Sequence, residues 1–183
     1  MTTGGGRFAT YPDMKSSPAL LAAVVAAVLS LAGCKPKPRE ITSLQRKQAA
    51  QLVSEAQFAV TLRDYAKAED QLAQAVAVCP DDGDTWVSLG SVRVRLGQRD
   101  TAKAAYQKAL GAFQAAAALD PKDDQARLRQ VSALVLLGRV DEARALLAKL
   151  REQFPDNRTI RMFADQKQLD NLLADPAFKE ISL

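Results

Sequence analysis

Apolar positions follow two patterns along the chain. From Ala19 to Ala32 they run together as ALLAAVVAAVLSLA, a stretch of 14 residues. A helix needs about 20 apolar residues to cross a bilayer core, so this one is too short to span. It has the length of a signal-peptide h-region. Beyond it, proline and glycine divide the chain into segments. Pro80, Pro121 and Pro155 are each followed by Asp or Lys-Asp, a combination that stops one helix and opens the turn before the next. Gly97 and Gly138 tolerate the positive φ that ends a helix. The spacing predicts helices at about 42–62 and 65–78, 83–96 and 99–118, 123–137 and 140–153. Past Pro155 it predicts one capping helix at about 157–173.

The segments repeat. Ala56, Ala68 and Ala75 recur 34 residues later as Gly90, Ala102 and Ala109, and 41 later again as Val131, Ala143 and Leu150. Pro121 lies 34 before Pro155. The middle copy reads Trp86-x-x-Leu89-Gly90, then Gly97, Ala102, Tyr106 and Ala109. With its 34-residue period it resembles the tetratricopeptide repeat (TPR). The resemblance implies an all-α, helix-turn-helix solenoid of about three repeats (49–82, 83–123 and 124–157, within 42–156) with a capping helix and tail over 157–183. The small residues would mark where helix A meets helix B. The ending Leu172-Leu173-Ala174-Asp175-Pro176-Ala177-Phe178 also resembles that of repeat proteins, whose Pro turn returns the aromatic to the core. A solenoid end needs such a lid over its apolar surface.

Two features depart from the family pattern. Polar residues stand at helix A sites where the family has apolar ones: Glu55, Arg93, Arg127 and Gln130. The step from 34 to 41 is a seven-residue insertion after Tyr106-Gln107-Lys108-Ala109-Leu110 in the second B helix. Seven residues are nearly two turns, so Tyr106, Leu110, Phe113 and Ala117 keep one stripe while the helix grows by about 10 Å. Either the extra turns pack on a lengthened neighbour, or Phe113 projects and makes a contact of its own.

Leu31-Ala32-Gly33-Cys34 resembles the bacterial lipobox. That resemblance implies a signal peptide over 1–33, cleavage before Cys34, and diacylglycerol on the Cys34 thiol, usually with a further N-acyl chain such as palmitate. Two or three chains anchor stably where one is marginal. Lys35 follows the cysteine in place of the aspartate of an inner-membrane retention signal, which implies sorting to the periplasmic face of the outer membrane. Translation is expected to begin at Met14, since Met14-Lys15-Ser16-Ser17 makes a compact basic start and MTTGGGRFATYPD fits no part of a signal. Residues 34–41 form a basic tether, with Lys35, Lys37 and Arg39 against Glu40, suited to an anionic lipid surface.

Composition narrows the chemistry. The 183-residue chain has no histidine and two cysteines, so the commonest general base and metal ligand are both missing. A net charge of +4 is no nucleic-acid signature. Asp81, Asp82 and Asp84 around Gly83 lack the bidentate glutamate of a calcium loop and read as a helix-capping turn. Cys79 reads as a buried small hydrophobe. Neither an enzyme nor a cofactor site is expected.

Surface is what remains. The TPR resemblance implies a concave groove lined by A helices, and its groove sites fall on Val53, Gln57, Val60 and Thr61 in the first copy. The second supplies Val87, Ser91, Val94 and Arg95, and the third Leu128, Ser132, Val135 and Leu136. Carboxylate-clamp repeats place Lys and Asn there, whereas here only Arg95 can meet a carboxylate. The groove should suit an apolar helix or extended segment of a protein partner. The reading is a lipid-anchored periplasmic adaptor that helps assemble or regulate an envelope complex. Its alternatives are a self-associating structural lipoprotein, closed through the groove or Phe113, and a pilotin-like factor for type IV pilus secretin assembly.

Overall fold

In the computed structural model the described residues are Met1, 40–165 and 168–183. Residues 2–39, which include the expected signal peptide, Cys34 and most of the expected tether, lie outside them. Helices α1 (Ser43–Thr61), α2 (Tyr65–Val78), α3 (Gly83–Arg95), α4 (Arg99–Leu119), α5 (Asp124–Leu136) and α6 (Val140–Gln153) follow in order. Then come α7 (Arg158–Asp165), α8 (Gln168–Ala174) and the single turn α9 (Pro176–Lys179). The capping helix expected over 157–173 falls on α7 and α8. No strand occurs among the described residues, and no described helix is long and apolar enough to cross a membrane.

The A helices start on side-chain caps, which satisfy backbone N–H groups that have no partner within the helix. Thr42 accepts from Gln45 N–H in a capping box, Asp82 from Asp84 and Thr85, and Asp123 from Ala126. Each A helix ends in the same turn. Gly97 N–H donates to the Val94 carbonyl (2.9 Å) and Gln98 N–H to that of Arg93 (2.8 Å). Gly138 and Arg139 bond Val135 and Leu134 alike, as do Arg63 and Asp64 with Val60 and Ala59. This is the Schellman pattern, which needs a left-handed residue. Glycine fills it at φ 75° and 70° in the second and third copies, but Arg63 sits there at φ 59° in the first. A left-handed conformation costs an L-residue about 1–2 kcal/mol, and glycine's extra unfolded-state freedom offsets about half of that. Arg63→Gly should therefore raise stability by about 0.5–1 kcal/mol, which a urea titration would register as a higher midpoint with an unchanged slope.

Neighbouring helices pack in sequence, α1 on α2 through α6 on α7, within the unit Ile41–Leu183. The repeat positions form its core: Ala68, Ala102 and Ala143 are each 0 % exposed, and Ala56, Ala75, Ala109, Val131 and Leu150 are buried. Tyr106 packs closely against Gly90, where a Cβ would overlap its ring. Seven residues on, Phe113 does the same to Gly83, where a Cβ would sit 2.5 Å from the ring. The insertion therefore extends the contact of α4 with α3 by one further ring-on-glycine step. Phe113 is buried, so the projecting alternative is overturned; the ring packs on α3, which at 13 residues is not a lengthened neighbour.

The polar departures have partners. Glu55 accepts from Gln71 (3.0 Å), and Arg93 reaches back to Glu69 on α2 (2.8 Å) with both side chains mostly covered. Arg127 lies over the Phe154 ring, 4.7 Å from its centroid. Gln130 donates to the Phe113 carbonyl (3.2 Å). Each ties an A helix to a neighbouring element at the place where apolar packing would otherwise do so.

Candidate functional site

The residues expected to line a groove separate into two sets. Gln57 and Val60 of α1 and Val87, Ser91 and Arg95 of α3 surround one cavity of about 260 Å³. Adjacent A helices present these side chains on one face because each helix begins from a fixed cap and ends in the same turn. Arg95 is the only charged residue in the lining. It is exposed, and its guanidinium lies 5.8 Å from the centre of the Tyr65 ring. Ser91 Oγ donates to the Val87 carbonyl (3.0 Å), which leaves the wall between them largely apolar. Val53 and Val94 are half-buried and lean on the core, and Thr61 is exposed.

The third copy is different. Leu128, Val135 and Leu136 are core residues at 7 %, 2 % and 3 % exposure, which corrects the expectation that they line an open groove. Ser132 faces a separate cavity of about 400 Å³ shared with Phe163, Gln168 and Asn171. The last described residues return to this region. Phe178, Ile181 and Leu183 pack against the cluster that holds Leu128, Val135 and Leu136. The return of Phe178 follows the expectation from the Pro176 turn, with Asp175 capping α9. Ile181 and Leu183 go further, and no local sequence signal announces them. Tyr106 Oη, 3.3 Å from Ser91 Oγ, donates to the Ile181 carbonyl, and Leu183 N–H donates to the Leu136 carbonyl at 3.0 Å. Burial raises the Tyr106 phenol above its ordinary pKa, against a smaller lowering by Ser91 and Arg95. It therefore remains a neutral donor.

Neither of the other candidate sites holds reactive chemistry. Asp82 caps α3, Asp81 pairs with Arg46 (2.8 Å) and Asp84 with Arg129 (3.2 Å), so the three carboxylates serve separate partners. Cys79 is buried, and its thiol donates to Asp81 (3.0 Å). Burial first and the adjacent carboxylate second push its pKa up to about 11. Such a thiol is protonated and inert at neutral pH.

A tetratricopeptide-repeat model matches residues 103–166, and a second model of the same description matches 83–115. These residues carry tetratricopeptide repeats. The matched TPR region takes in α3 to α6, including the ring-on-glycine contacts, and α7. TPR domains generally bind protein partners. Among solved structures the chain is similar to the Arabidopsis OM64 TPR domain, at 19 % identity and a TM-score of 0.40, covering 69 % of this chain and 98 % of that one. No curated protein matches the chain.

Proposed function

We propose that this protein is an adaptor whose A-helix face binds an apolar segment of a protein partner, held at the periplasmic face of the outer membrane by lipid on Cys34. One observation carries the binding half: five residues chosen from their repeat positions, Gln57, Val60, Val87, Ser91 and Arg95, meet around one largely apolar cavity. Apolar pockets with a few placed polar groups are the usual form of a recognition site. The anchor half rests on Leu31-Ala32-Gly33-Cys34 and the basic residues after it. Tethering both partners to one membrane raises their effective concentration, so a modest groove suffices. The role is to assemble or regulate an envelope complex. Self-association through a projecting Phe113 has lost its contact residue, since that ring is buried.

The test is affinity capture from detergent-solubilised envelopes with the full chain, beside Val87→Glu and Val94→Glu. A carboxylate buried against an apolar partner segment is strongly unfavourable. The partner captured by the native chain should fall at least tenfold with Val87→Glu. An unchanged set of captured proteins with both substitutions would sink the groove reading.

A further inference from the structure

Residues 180–183 are seated where a partner segment would lie. Ile181 closes one side of the cavity formed by Gln57, Val60, Val87, Ser91 and Arg95. Its carbonyl accepts from Tyr106, and two residues on, Leu183 N–H donates to Leu136 at the end of α5. The Leu136 carbonyl is one of those left without a partner inside the helix. The Leu183 carbonyl in turn lies against Gly138, 3.3 Å from where a Cβ would stand. Three of these contacts use the main chain of the segment, which every peptide possesses, and the rest use two aliphatic side chains. A different extended segment with an aliphatic residue in the place of Ile181 could make the same set.

We propose that residues 180–183 are a built-in occupant of the A-helix face, and that an extended, aliphatic partner segment must displace them to reach the third repeat. This rests on the A-helix face being the partner-binding face. With the segment released, the cavity beside α1 and α3 loses its Ile181 wall, and the Tyr106 hydroxyl and the Leu136 carbonyl become available to another main chain. A site that is closed most of the time shows an affinity reduced by the fraction of time it is open.

The probe is a fluorescent peptide copying residues 178–183, followed by anisotropy against the full chain. The double variant Ile181→Asp, Leu183→Asp should bind it at least tenfold more tightly than the native chain does. Equal binding by both, or binding by neither, overturns the proposal. Amide hydrogen exchange on the native chain gives a second reading that needs no variant. Leu183 N–H should exchange at least a hundredfold faster than Ala109 N–H in α4, because the segment opens while the repeats stay folded. Common exchange of the two in one unfolding event would overturn it. If these measurements fail while Val87→Glu still abolishes capture, the built-in occupant is refuted and the groove reading stands.

Discussion

Replacing Tyr106 by alanine should lower stability by about 3–5 kcal/mol, the cost of truncating a fully buried aromatic side chain. For a repeat unit of this size that is a fall in Tm of about 10 °C. The ring is 0 % exposed, covers Gly90 and belongs to the largest apolar cluster, so its removal opens a cavity between α3 and α4. It also removes the hydroxyl that holds Ile181. Tyr106→Phe separates the two roles. It keeps the packing and leaves a carbonyl short of its donor, a loss of about 1–3 kcal/mol if the carbonyl stays dry and less if the segment swings out to water. Thermal melts of the three proteins should therefore rank native, Phe, Ala with wide spacing before Ala. A loss below about 1 kcal/mol for Tyr106→Ala would mean that the ring is not the keystone of the middle repeat.

The second large effect is a change of sign between two identical substitutions. In a helix interior, alanine is about 1 kcal/mol better than glycine. At Gly111 on α4 a new Cβ meets nothing within 4 Å, so Gly111→Ala should stabilise by about 0.5–1 kcal/mol. At Gly90 the same methyl enters the Tyr106 ring, which is walled in on every side. Overpacking of that kind costs about 1–3 kcal/mol or more. With the helix gain set against it, Gly90→Ala should destabilise by about 1–2 kcal/mol. Urea titrations that showed both variants stabilised would contradict the close approach of α3 and α4.

How much of this could be read beforehand follows from where each signal lies. Helix ends were legible because proline, glycine and capping carboxylates act over a few residues. The alanines at 68, 102 and 143 were legible because a repeated contact leaves a repeated small residue, and all three are buried. Arg63 was missed as a left-handed residue, although it stands 34 before Gly97 and shares its turn. Its side chain gave no sign, and only the repeat spacing would have. The fate of the third-repeat face was not legible at all. Tyr106 and Ile181 are 75 residues apart, and nothing in either neighbourhood specifies that the last residues turn back across α5. Position within the repeat located Leu128 and Val135 on the A-helix face, but what covers that face depends on a long-range contact. Whether Phe113 packs or projects is likewise not written in its own helix. The choice turned on Gly83, whose missing side chain lets the ring in.

The central question is whether the cavity beside Val87 meets another polypeptide in the cell. A photo-reactive amino acid placed at position 87 in the full chain, compared with one at the exposed Ala104 of α4, would report it after irradiation of intact cells. A discrete, higher-mass adduct is expected from position 87 and none of that mass from position 104. No adduct from position 87, or the same adduct from both positions, would contradict it.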